Sequence, residues 1–336
     1  MKLFTKLFAL SLAAQLMAAV APAMAEERLV FAGGPAGGTF QVVANAIQTY
    51  KPIKEIKGVK IQAQSSAGSV ENLRNIDKGK AHFGTVYSGH VYLGSEGRLK
   101  NDPNKYENVR AVSYLYGAPA QLVVRKDSGI KSVKDLVGKK VGVGNAGSGA
   151  FANAELFFSH IKVKNKDEDK SVSIWDSMER NAMGYNDAAN AFSNKQLDAF
   201  WVFAGFPVGA VMMAAQTNDI DLIDLDKDAE KYNFYRDYPY FVRLDVPKDT
   251  YKGVDKVTPS FQDSALWVAN KDVSDEIIYQ MLSIIFSEEG LKHMVSQKKT
   301  FNSMSIESGI EGTSETTLHP GAERFWKEKG ILENKS

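Results

Sequence analysis

"RLVFAGGPAGGTFQVVANAIQTY", residues 28–50, and "KKVGVGNAGSGAFANAELFF", residues 139–158, decide the fold. Each begins as an apolar strand, passes through a glycine-rich loop and continues as a helix, with Val42, Val43, Ala46 and Ile47 at helical spacing in the first. The pattern goes on in both places. "VKIQAQSSAGSVENLRNIDKGK" (59–80) supplies an alternating strand, a Ser/Gly loop and a helix, and "AHFGTVYS" (81–88) an apolar strand. "AANAFSNKQLDAFWVFAG" (188–205) closes the second unit as a helix, a turn and an apolar strand. Strands alternating with helices predict parallel βαβ sheets. The chain is therefore expected to be α/β, with two similar lobes. In open α/β sheets ligands sit beyond the carboxyl ends of strands, where loops and helix N-termini meet. Loops 34–39, 65–69, 87–89, 144–150 and "FAGFP" (203–207) are expected to converge on a cleft between the lobes.

Residues 1–25 read as a signal peptide: Lys2 and Lys6, an apolar run from Leu7 to Val20, then Ala23-Met24-Ala25 as an A-x-A cleavage site. Cleavage after Ala25 would place the protein in a periplasm and leave 39 basic against 40 acidic residues, a net charge of −1. That balance lacks the basic excess of a nucleic-acid binder. The chain has no cysteine, which excludes disulfides, thiol chemistry and a lipid-anchored cysteine. A monomer is the default expectation.

The glycine loops do not read as nucleotide sites. "GGPAGGTF" (33–40) has no lysine after its glycines, as a P-loop needs. "GVGNAG" (142–147) matches G-x-G-x-x-G, but an acid about 20 residues on should end a strand. Here that spacing falls in "KNKDEDK" (164–170), a charge run expected to be a solvated loop. "GSGA" (147–150) reads better as a helix start, with the Ser148 hydroxyl and backbone N–H groups facing the cleft. In "SSAGSVENL" (65–73) one serine is expected to cap the helix, and Ser65 or Ser66 is a candidate ligand contact. The histidines at 82, 90, 160, 293 and 319 show no metal-ligand spacing, and no G-x-S-x-G elbow marks a nucleophile. No metal, no cofactor and no catalysis are expected. "KYNFYRDYPYFVR" (231–243) has two readings: a packed loop over the second lobe, or aromatic walls with Arg236 or Arg243 for a carboxylate.

Six stretches then occur in one order: GG-x-x-GGTF, S-x-GS-x-ENL, "LVVRKDSGIKSVKDLVGKKVGVGNAGSGA", "LDAFWVFAGFP", "DTYKGVDKVTPS" and "LHPGAERFWKEKGIL". From about Leu29 to Leu332 the chain resembles the TAXI family of extracytoplasmic solute receptors, which serve TRAP transporters. The resemblance implies a type II periplasmic binding-protein fold: two α/β lobes hinged by crossover segments near 117–123 and 263–268. Lobe I would be 26–118 plus 266–336, and lobe II 119–265. It implies a small organic ligand handed to TRAP permease subunits, with uptake driven by an ion gradient. Carried over by motif, the pocket would use Gly38, Thr39 and Phe40; Ser65, Ser66, Gly68 and Ser69; Tyr87 and Ser88; Ser148, Gly149 and Ala150; and Phe203, Gly205, Phe206 and Pro207. Tyr116 and Gln121 would flank the first crossover. The chain departs from the family at 87–89, where Tyr-Ser-Gly replaces an expected Gln-Ser-Asp, and at 115–118, where "LYGA" replaces "LYPE". Losing those acids favours an anion without an ammonium group, such as a keto acid or dicarboxylate. An ABC-type receptor, an exported enzyme and a ligand-sensing protein are the alternatives.

Overall fold

The computed structural model describes residues 26–100, 102–164, 171–314 and 316–333. The expected signal peptide, and residues 165–170 of the expected charged loop, lie outside these. Lobe I begins with β1 (Glu27–Ala32), α1 (Thr39–Thr49), β2 (Val59–Gln64), α2 (Ser69–Asp77), β3 (Phe83–Tyr87) and α3 (Ser88–Ser95). The chain then enters the long strand β4 (Val109–Arg125). Lobe II follows as β5 (Lys140–Gly142), α4 (Gly149–His160), β6 (Glu179–Asn181), α5 (Tyr185–Ser193), β7 (Ala199–Phe203), α6 (Gly209–Thr217) and β8 (Ile220–Leu222). The return strand β9 (Phe261–Asn270) leads to α7 (Asp275–Ile285), α8 (Glu288–Gln297) and α9 (Pro320–Glu328).

The two halves repeat one topology. In lobe I the order is β2-β1-β3-β9-β4, with β9 antiparallel to its neighbours. In lobe II it is β6-β5-β7-β4-β8, with β4 as the antiparallel strand. The other strand pairs within these two orders are parallel, as the alternation of strands and helices requires. β4 belongs to both sheets: Pro119 pairs with Gln262 of β9, and the next residue, Ala120, pairs with Phe203 of β7. The returning chain crosses at the same level, where the Ser260 hydroxyl donates to the Ala120 carbonyl at 2.6 Å. β4 is buried on both faces along most of its length, which is why it reads as an almost unbroken apolar run.

Each lobe has an aromatic core. Phe31, Phe83 and Trp267 pack together in lobe I. In lobe II, Phe157, Trp201, Phe234 and Phe261 form one cluster, and the loop 231–243 adds Phe241 to it. The packed-loop reading of 231–243 is the one observed. Arg236 pairs with Asp237, and Arg243 with Asp226 and Asp245, so neither arginine faces the cleft. Among the described residues no helix is long and apolar enough to cross a membrane.

Candidate functional site

Four helices of both lobes begin at one cavity. Its wall contains the starts of α1 (Gly38, Thr39, Phe40), α2 (Gly68, Ser69), α4 (Ser148, Gly149, Ala150) and α5 (Gly184, Tyr185). Pro35, Ala67, Tyr87, Tyr116, Asn145, Phe203 and Ala204 complete it. The first backbone N–H groups of a helix have no partner within it, and the helix dipole puts partial positive charge there. Two of these starts come from each lobe. None of the lining residues carries a charge. Such a site can hold an anion with N–H and O–H donors and no cationic side chain.

Local chemistry explains each start. Ser148 caps α4 as expected, accepting the Phe151 N–H at 3.0 Å. α2 departs from expectation, because no side chain caps it at Gly68. The Ser69 hydroxyl instead accepts the Tyr87 N–H at 2.9 Å and lies 2.9 Å from His90 Nδ1. Burial pushes His90 down to about 4, so the imidazole is neutral. The Asn72 amide donates to the carbonyls of Ala32, Gly33 and Thr85, binding α2 to the sheet. Three tyrosine hydroxyls reach the cavity from Tyr87, Tyr116 and Tyr185, and burial raises the pKa of each, so all are donors. The Tyr116 hydroxyl is buried with no well-aimed partner.

The cavity has a volume of about 30 Å³, room for about two waters. The lobes stand closed over it. A Cβ on Gly149 would lie 2.7 Å from Ser69 and from the Tyr87 ring across the cleft. A Cβ on Gly37 would lie 2.6 Å from Asn186 of the other lobe. The Asn186 amide could swing aside from such a Cβ, so it is the turn geometry, φ +80°, that calls for glycine at 37. The glycines of 142–147 are packing and turn residues: a Cβ on Gly142 would stand 3.0 Å from Leu197, and Gly144 and Gly147 have positive φ.

Of the residues singled out in the sequence, Gly38, Thr39, Phe40, Gly68, Ser69, Tyr87, Tyr116, Ser148, Gly149, Ala150 and Phe203 meet at this cavity. The others stand behind it or outside it. Ser65 is exposed. Ser66 braces its own loop, donating to the Gly33 carbonyl and accepting the Gly68 N–H. Gln121 donates to the Ala204 carbonyl at 3.0 Å and accepts from Tyr251. Gly205 accepts a long 3.5 Å contact from Thr39, while Phe206 and Pro207 line a separate hollow beside Tyr116. Ser88 points away, donating to Asp263 at 2.6 Å. That carboxylate also takes the Gly89 N–H, at 3.2 and 3.3 Å to its two oxygens, and a Cβ at 89 would stand 2.9 Å from it. So an acid from β9 occupies the start of α3, yet it does not line the cavity.

The expected loops 34–39, 65–69, 144–150 and 203–207 do bring Pro35, Ala67, Asn145 and Ala204 here, though none of the four was singled out, and sequence reading missed Gly184 and Tyr185 altogether. Tyr185 was the hardest to find, because β6 (Glu-Arg-Asn) carries no apolar pattern to announce the helix start after it.

Two lobes with one strand order, two crossings and helix starts that meet in the cleft between them define a type II periplasmic binding-protein fold. Residues 31–330 match the family described as NMT1-like, and the chain belongs to it. Several solved structures are similar over most of their length. The periplasmic aliphatic sulphonate binding protein SsuA from Escherichia coli is 12% identical, with 91% of this chain and 94% of that one covered and a TM-score of 0.45. A binding protein component of an ABC phosphonate transporter from Pseudomonas aeruginosa is 13% identical, with 81% and 79% covered and a TM-score of 0.48. A protein from Bordetella bronchiseptica RB50 is 17% identical, with 87% and 83% covered and a TM-score of 0.49.

Proposed function

We propose that this protein is a periplasmic solute receptor with no catalysis of its own, exported as a chain cleaved after Ala25 and acting as a monomer. Lobe I (26–118 plus 266–336) and lobe II (119–265) would part to admit a small organic anion and close on it. The supporting observation is the meeting of four helix starts from two lobes at a cavity without a charged side chain. Burying a carboxylate costs several kcal/mol unless several donors replace its water. The N–H groups of α1, α2, α4 and α5, with the Tyr116 hydroxyl, are numerous enough to do so. No acid lines the cavity to meet an ammonium group, so a keto acid or dicarboxylate fits better than an amino acid.

The permease is a separate matter. A TRAP-type partner, driven by an ion gradient, is implied by the ordered motifs alone. An ABC-type partner accords better with the coarser family likeness. Uptake that collapses with the ion gradient while ATP is intact would favour the first; uptake that follows ATP would favour the second.

The site itself is tested by thermal shift of residues 26–336 against carboxylates without amino groups, amino acids, sulfonates and phosphonates. A ligand at a hundred times its Kd adds about 2.7 kcal/mol and raises the Tm by a few degrees. With the ligand in hand, calorimetry on Thr39→Leu and Ser148→Leu should show binding weakened at least tenfold, about 1.4 kcal/mol. Unchanged affinity in both variants would remove the cavity as the site.

A further inference from the structure

The end of β7 and the loop after it present four carbonyls in a row, and every one accepts a side-chain donor. Phe203 accepts from Tyr87 at 2.7 Å and from Tyr185 at 2.9 Å. Ala204 accepts from Gln121 at 3.0 Å, and Gly205 from Thr39 at 3.5 Å. Phe206 accepts from the Thr300 hydroxyl at 2.7 Å. The strip belongs to lobe II. Tyr87, Thr39 and Thr300 belong to lobe I, so the lobes part only if all three bonds break. Tyr87 and Thr39 also line the cavity; Thr300 does not.

Thr300 is held firmly on the lobe I side. Its neighbour Phe301 is fully buried and packs edge-on against Tyr116, ring centroids 5.9 Å apart. Ser303 donates to the Leu115 carbonyl of β4 at 3.2 Å. The contact with the loop is close, since a Cβ on Gly205 would collide with the Thr300 methyl. A hydroxyl anchored to the hinge strand thus reaches across to lobe II from outside the ligand cavity.

We propose that Thr300 is a positioning residue that sets how far the lobes close, and through closure the affinity of the cleft. The effect on affinity rests on the receptor reading above; the effect on closure does not. A receptor whose competent form is only partly populated binds with its intrinsic affinity scaled by that fraction. One neutral hydrogen bond shifts such an equilibrium roughly fivefold. Thr300→Val keeps the shape and the methyl contact, removes the donor and leaves the Phe206 carbonyl unpaired when closed. Thr300→Ser keeps the donor.

The chain has no cysteine, so spin labels can be placed cleanly at Lys80→Cys and Asn194→Cys. Both sites are exposed and follow the C-terminal ends of α2 and α5, helices whose other ends face the cleft. Electron–electron distances would be measured in the ligand-free protein. Thr300→Val should lower the closed-to-open ratio about fivefold, and Thr300→Ser should restore the parent distribution. An unchanged distribution in Thr300→Val, or the same shift in Thr300→Ser, would overturn the proposal. Because no solute is needed, failure to find a ligand would count against the receptor reading alone.

Discussion

Asp263 is fully buried on β9, and burial pushes its carboxyl up to about 7 despite hydrogen bonds from Ser88 and the Gly89 N–H. Its folded pKa thus lies above the ordinary carboxylate value of 3.8. The sign follows from proton linkage: the folded state binds more protons than the unfolded one between those values, so stability falls as pH rises. The contribution is fully present below about 3.8 and lost as pH passes through about 7. Asp263→Asn cannot titrate. The Tm of the parent should therefore fall more steeply between pH 5 and 8.5 than that of Asp263→Asn. Parallel curves would show that Asp263 is not the group responsible. The resemblance implied an acid missing at position 89, but not the acid that the return strand brings to the same helix start. A contact between residues 174 apart in the chain leaves no local pattern.

Elements were legible where their own chemistry specifies them. The strand–loop–helix units around residues 28–50 and 139–158 announced themselves by apolar periodicity and by glycines. Ser148 announced itself as a cap. α8 shows the same logic away from the cleft: Ser287 caps it by accepting the Gly290 N–H at 3.0 Å. Ser287→Ala should cost about 1 kcal/mol, read as a lower urea midpoint at unchanged slope. No loss would mean that solvent satisfies that N–H equally well. Where capping was expected at α2 and not found, tertiary contacts won. Ser69 is taken by His90 and Tyr87, and the Asn72 amide ties the same helix to the sheet. β6 fell below the sequence signal because a three-residue edge strand needs no apolar face.

On the scale of the whole molecule, closure depends on glycines that bring one lobe against the other. A Cβ at Gly149 would stand 2.7 Å from Ser69 and Tyr87. Gly149 lies in a helix, where alanine is otherwise favoured. Gly149→Ala should therefore leave the unfolding midpoint of the isolated protein close to the parent's. It should prop the lobes apart and weaken ligand binding at least tenfold, about 1.4 kcal/mol. Small-angle scattering of the ligand-free variant should show a larger radius of gyration. An unchanged radius would mean that the neighbours yield and the cleft still shuts.

The sequence by itself determined two α/β units and the glycine loops that start their helices. Each of these rests on periodicity, turn chemistry or composition within a few tens of residues. Only the tertiary structure decided that β4 serves both sheets, that four helix starts share one cavity, that Tyr185 joins it and that Ser88 and Gln121 do not. It also decided that Thr300 reaches the Phe206 carbonyl, 94 residues away in the chain. The physical reason is the same throughout: a helix start is written in its neighbours, whereas the direction of a side chain across a cleft depends on how two separately packed cores come to face each other.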